Sequence, residues 1–201
     1  MDKSISDKIL DDLAGQGWSV IPKFISDHLV EKLLQEQKDL LMQGQFRNAG
    51  IGKGETFQVK PEIRGDKIMW LDQEQISSVL QEYLQKIENL RMLLNQEFFL
   101  GLKNFECHFA QYPPHTFYKK HLDQFKQTTY RIISCILYLN TDWKEEDGGQ
   151  LRIYTTEDNP EIYQDVLPIG GTLVCFRSED IPHEVLPTQR ERYSITGWMR
   201  R

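Results

Sequence analysis

The sequence predicts an α+β fold: a helical first half followed by a β-rich half arranged as a sandwich or jelly-roll barrel. Three observations predict it. Apolar residues recur at helical spacing over roughly the first hundred positions, and from Leu102 onward the period changes to two. Turn-forming residues then cut the second half into eight short strands with no helical pattern between them. Helices first and strands later is the order in which helices buttress one side of a sheet.

The elements follow in order. Ile5, Ile9, Leu10 and Leu13 form the apolar stripe of a first helix, which Gly15 and Gly17 stop. Trp18-Ser19-Val20-Ile21 is a short strand broken by Pro22. Ser26 is placed to cap a helix carrying Leu29, Leu33, Leu34, Leu40 and Leu41, ended by Gly44. Positions 44–66 hold Gly44, Gly50, Gly52, Gly54, Pro61 and Gly65, a long loop of a kind that is usually functional. Asp72 and Gln75 read as a capping pair for a second long helix, with Val79, Tyr83, Leu84, Ile87, Leu90 and Leu94 as its apolar face. Strands are expected at 102–112, 117–122, 131–139, 150–154, 162–166, 171–177, 183–186 and 192–200. Pro113-Pro114, Asp147-Gly148-Gly149, Asn159-Pro160, Gly170-Gly171 and Pro187 supply the turns between them.

Composition bounds the function. A chain of 201 residues reads as one domain, 1–201, long enough to bury its own core. Its 24 Lys and Arg against 30 Asp and Glu give a net charge of −6, which excludes broad nucleic-acid binding. Three cysteines without a C-x-x-C pair exclude a disulfide scaffold and indicate a reducing, cytoplasmic setting. Charges interrupt the first residues, and the apolar run 132–139 is too short to span a bilayer, so neither a signal peptide nor a membrane partner is expected. A monomer is the expected state.

The chemistry centres on His121-Leu122-Asp123. On a strand, period two turns the imidazole and the carboxylate to one face and Leu122 to the other. His183, in Ile181-Pro182-His183-Glu184-Val185, offers a third ligand. Two His and one carboxylate form the facial triad of non-haem Fe(II) oxygenases, which leaves metal positions open for cosubstrate and O₂. Arg192 follows on what should be a neighbouring strand, where a guanidinium would grip a carboxylate bidentately. Metal and clamp together suggest a keto-acid cosubstrate.

Several segments together resemble the 2-oxoglutarate- and Fe(II)-dependent prolyl hydroxylases, and more narrowly the oxygen-sensing prolyl hydroxylase domain type and its bacterial relatives. They are His121-x-Asp123, the run from Cys135 to Asn140, Asp142-Trp143, the run from Gly148 to Tyr154, Pro182-His183-Glu184-Val185, and the upstream segment from Ile63 to Trp70. The resemblance runs from about Gly15 to the C-terminus and implies a distorted double-stranded β-helix, here a core at 101–201 supported by 1–100. It implies Fe(II) on His121, Asp123 and His183, with O₂ and 2-oxoglutarate as cosubstrates, and it admits ascorbate. Arg192 and Tyr138 would hold the distal carboxylate of 2-oxoglutarate, with Tyr112 near the chelating end and Thr196 and Trp198 lining the pocket. Arg131 would border the substrate groove and steady Asp123. Arg64 and Asp66, with the Gly-rich segment before them, match a loop that folds over the substrate peptide.

Two departures separate the chain from the animal enzymes. Gln124-Phe125 stand where those carry Asn-Pro, and the stretch from His121 to Arg131 differs in length. Both favour a bacterial-type member. The implied activity is 4-hydroxylation of a prolyl residue in a protein partner, with elongation factor Tu the named possibility. Two other readings are an oxygenase acting on a different side chain or a small molecule, and a metal-bearing binding module without turnover. A Zn or Mn cupin would need a further ligand, from His108 or His115.

Overall fold

The structure, a computed structural model, describes residues 3–52, 57–72, 76–124, 130–155 and 162–201. Gly54, Gln75, Phe125, Asn159 and Pro160, which figure in the sequence reading, lie outside these. Three helices precede the main run of strands: α1 (Lys3–Gly15), α2 (Asp27–Met42) and α3 (Ser78–Phe98). Strand β1 (Trp18–Ile21) follows α1, and β2 (Arg47–Asn48) and β3 (Lys67–Trp70) lie between α2 and α3. The second half holds β4 (Asn104–Tyr112), β5 (Tyr118–His121), β6 (Arg131–Tyr138), β7 (Leu151–Tyr154), β8 (Tyr163–Val166), β9 (Leu173–Arg177), β10 (His183–Val185) and β11 (Arg192–Arg200).

All eight expected strands form, within one or two residues of their expected ends. They build two antiparallel sheets, a larger one ordered β1-β9-β6-β11-β4-β3-β2 and a smaller one ordered β5-β10-β7-β8. This is the jelly-roll expected, with one enlargement: β2 and β3 extend the larger sheet beyond β4 (Ile68 opposite Ala110), where the sequence reading had loop and approach to α3. The start of α3 also differs from expectation. Ser77, not Asp72, caps it, its hydroxyl accepting from the Leu80 amide at 3.1 Å. Ser26 caps α2 as expected.

Period two sorts the larger sheet into a helix face and a site face. On β6, Ile133, Cys135 and Leu137 join the helix-side core, while Ile136 and Tyr138 join the cluster between the sheets. On β11, Tyr193, Ile195 and Met199 pack toward the helices. Helix α3 contributes Leu80, Tyr83, Ile87, Leu90 and Leu94 to that core, all essentially withdrawn from water. Each such side chain contributes about 1.5–3 kcal/mol. Gly197 permits the close packing: a Cβ there would lie 2.4 Å from the Phe105 ring and 2.6 Å from the Cys107 Cβ. The other face of β11 is left to chemistry.

Candidate active site

Strand register brings the candidate ligands together. His183 on β10 lies directly opposite His121 on β5, and their rings sit 4.3 Å apart, centroid to centroid. Asp123 follows two residues after His121, its Oδ1 3.5 Å from His121 Nε2 and its Oδ2 3.8 Å from His183 Nε2. Ligand atoms of the three all fall within 4.8 Å of one another, and among the described residues no other His, Cys, Asp or Glu joins them. His108 and His115 therefore stand outside the cluster, and the cupin reading lacks its extra ligand.

The donors are prepared for a cation. Each imidazole holds a backbone carbonyl through Nδ1, His121 to Lys119 at 2.8 Å and His183 to Ile181 at 3.0 Å, which leaves both Nε2 lone pairs facing Asp123. Burial pushes the His183 imidazole down to about 4, so it is neutral at neutral pH. Burial opposes ionisation of Asp123, but its polar neighbours, the donating Ser134 hydroxyl among them, outweigh it and hold its carboxyl below the usual carboxylate range. Two imidazoles and one carboxylate suit Fe(II).

Ser134 is a residue that the sequence reading missed. Its hydroxyl donates to Asp123 Oδ2 at 2.7 Å and lies 2.9 Å from the Ser178 hydroxyl. The signal was a lone polar residue on the site face of an otherwise apolar strand. Arg131, expected to steady Asp123, does not reach it. Its Nε donates to Glu106 at 3.0 Å, and its guanidinium lies 3.5 Å over the Trp198 ring. Tyr118 was missed too: it stacks on His121 at 3.6 Å and 15°, with the Arg64 guanidinium 4.3 Å from its ring centroid. Arg64 in turn binds buried Asp66 bidentately, at 2.8 and 2.5 Å. That pair backs His121 through Tyr118, with the charge of each member spent on the other.

Arg192 lies deep in the same cleft, 1% exposed. Its Nε donates to the Gly149 carbonyl at 2.8 Å, and its guanidinium sits 5.0 Å from the Tyr112 and Tyr138 ring centroids. The Nη2 of Arg192 and the hydroxyl of Tyr138 are buried with no hydrogen-bond partner in the protein. Such groups are costly when unpaired, so the pocket is shaped for an acceptor carrying negative charge. Ile136, Leu151 and Val185 give it apolar walls. Thr196 lines the cleft, and Trp198 forms an aromatic wall with His108 and Trp70. The cleft totals about 760 Å³ and opens past Tyr118 and Arg131 to a rim at Arg47 and Tyr130.

The family model of the 2OG-Fe(II) oxygenase superfamily matches residues 107–200, the stretch that carries the triad and Arg192. A crystal structure of a Pseudomonas putida prolyl-4-hydroxylase is 43% identical, with a TM-score of 0.86, each chain covering 98% of the other. A Trichoplax adhaerens prolyl hydroxylase, solved in complex with a hypoxia inducible factor oxygen degradation domain peptide fragment, is 28% identical with a TM-score of 0.85. That match covers 98% of this chain and 89% of the other. The mouse prolyl hydroxylase EGLN3 is 28% identical over 188 residues, which cover 90% of this chain and 77% of that protein.

Proposed function

Since this chain belongs to the 2-oxoglutarate- and Fe(II)-dependent oxygenases as a prolyl hydroxylase, we propose that His121, Asp123 and His183 hold the iron, Arg192 holds 2-oxoglutarate, and the cleft receives a prolyl residue of a protein. The observation that carries the reading is the orphaned Arg192–Tyr138 end of the pocket, in the same cleft as the His-Asp-His cluster. A cosubstrate with a carboxylate at its far end satisfies one, and its keto-acid end meets the other.

The chemistry that the metal supplies when bound is oxidation of the prolyl C4–H bond to C4–OH by O₂, with 2-oxoglutarate consumed to succinate and CO₂. The protein's share is orientation and exclusion of water. Lys119 and Ile181 carbonyls fix the imidazoles, and Ser134 fixes the carboxylate. Gly149 holds Arg192 through its Nε, which leaves Nη2 for the cosubstrate. Trp198, His108 and Trp70 wall off the outer side. Thr196 and Tyr112 border the cosubstrate, and Arg131, Arg64 and Asp66 frame the entrance from positions fixed by their own ion pairs.

The lining of the cleft includes both buried Arg192 and exposed Arg47 and Tyr130, an open-mouthed arrangement that suits a peptide better than a closed-in small molecule. Among the described residues no helix is long and apolar enough to cross a membrane. The three cysteines are free and buried, which fits a reducing cytoplasm and a monomer acting on a protein partner. The test is mass spectrometry of proteins treated with enzyme, Fe(II) and 2-oxoglutarate, elongation factor Tu first among them. One added oxygen atom on a single prolyl residue, with equimolar succinate, is expected, and none with Asp123→Ala. Oxygen placed on another residue type, or full turnover in that variant, overturns the reading.

A further inference from the structure

The chain carries a net charge of −6, yet seven basic side chains line the cleft against three acidic ones. Most of these have partners. Arg64 is spent on Asp66, Arg131 and Arg200 share Glu106 at 3.0 and 2.8 Å, and Arg192 and Asp123 serve the cosubstrate and metal. Arg47 on β2 and Lys119 and Lys120 on β5 remain, with no acidic partner among the described residues. All three are exposed, and Lys120 is held over the Tyr154 ring at 3.8 Å. They come from the edge strands of the two sheets, and all border the one cleft. Glu106 is shared by two arginines, so that side of the cleft adds a further fraction of positive charge.

Resting on the prolyl hydroxylase reading, we infer that the substrate is an acidic segment, with Asp or Glu placed within about two residues of the target proline. The reach follows from β geometry. Lys119 is two positions from His121 on β5, about 7 Å along the strand, which is the span of two residues of an extended peptide. A positive cleft on an acidic protein focuses the field, drawing acidic segments in and turning basic ones away. Rim charges of this kind act on encounter and on KM, and salt weakens them.

The experiment compares three peptides with the same apolar frame and a single proline, flanked by Asp/Glu, by Asn/Gln or by Lys. Hydroxylation by the Fe(II)-loaded enzyme gives kcat/KM, and anisotropy of labelled peptides with Mn(II) and 2-oxoglutarate under nitrogen gives affinity. The acidic peptide should exceed the neutral one by roughly tenfold, mostly through KM and affinity. Half-molar salt should shrink the difference, and Lys119→Glu/Lys120→Glu should reverse the order. Equal affinities for the three, or a preference indifferent to salt and to the double variant, overturn the inference. A charge-ordered affinity without prolyl hydroxylation supports the acidic preference and overturns the activity on which it was built.

Discussion

Replacing Arg192 with methionine tests the cosubstrate end of the site most directly. The side chain is 1% exposed, its Nε is tied to Gly149 and its Nη2 has no partner in the protein. Methionine keeps the volume against Tyr112 and Tyr138 but removes the charge and leaves one carbonyl unbonded. Truncating one side of a buried charge-assisted pair costs about 2–5 kcal/mol, so affinity for 2-oxoglutarate should fall at least about thirtyfold. With Mn(II) present and ligand at about 100 times the wild-type Kd, binding stabilises the wild type by about 2.7 kcal/mol. At about 2–4 °C per kcal/mol for a chain of this size, Tm rises by roughly 5–11 °C. The same ligand concentration is then only about three times the variant's Kd, which leaves about 0.9 kcal/mol and a rise of about 2–3 °C. Without ligand the variant should melt within a few degrees of wild type, because the lost hydrogen bond is offset by removal of an uncompensated buried cation. Scanning calorimetry reads both quantities. A ligand-induced shift equal to wild type, or a KM for 2-oxoglutarate within about threefold, refutes the clamp.

Three further outcomes follow from the same geometry. Ser134→Ala removes the 2.7 Å hydrogen bond to Asp123 and should weaken Mn(II) binding about 10–100-fold by calorimetry, whereas an unchanged constant would leave Ser134 a packing residue. Gly149→Ala places a Cβ 3.0 Å from Arg192 Cδ at φ +66°, so it should raise KM for 2-oxoglutarate and cost about 1–2 kcal/mol in urea unfolding. Buried His108, pushed by burial from 6.5 down to about 4, is neutral in both folded and unfolded chains above pH 6.5. As pH falls from 6.5 toward 4 only the unfolded chain takes the proton, so stability is lost over that window, by about 3 kcal/mol at most. His108→Phe should flatten that part of the stability curve, and an unaltered acid slope would count against the burial argument.

What was legible in the sequence divides by range. Helices α1–α3 and the eight later strands announce themselves through periodicity, because burial on one face imposes a local pattern of 3.6 or two. H-x-D followed by a distant His and Arg was legible because strand alternation fixes which side chains share a face. Strands β2 and β3 were not, since Arg47-Asn48 is fully exposed and β3 is four residues long with no clean alternation. Their pairing is set by β4, not by their own residues. Ser77 and Asp72 are both sound capping residues by type, and the helix starts at Ser78, so Ser77 takes the role. The partner of Asp123 was misjudged for a similar reason. Ser134 and Arg131 lie three apart on one strand, and a register shift opposite Met199 and Arg200 interrupts the alternation between them, so Ser134 lies beside Asp123 while Arg131 reaches Glu106 and Trp198.

Strand β11 shows how one segment serves stability and chemistry without trading one for the other. Arg192, Ser194, Thr196 and Trp198 alternate with Tyr193, Ile195, Gly197 and Met199. The second set packs into the helix-side core, Gly197 yielding its space to Phe105 and Cys107. In the first set, Arg192, Ser194 and Trp198 each bury a polar atom that has no partner in the protein. Unpaired buried polar atoms cost stability, and β11 is held between β4 and β6 along nearly its whole length, a register firm enough to carry that cost. Substitutions in the first set should therefore move ligand affinity and turnover more than melting temperature, and those in the second set the reverse. The one-residue alternation of a central strand is what keeps the two kinds of effect apart.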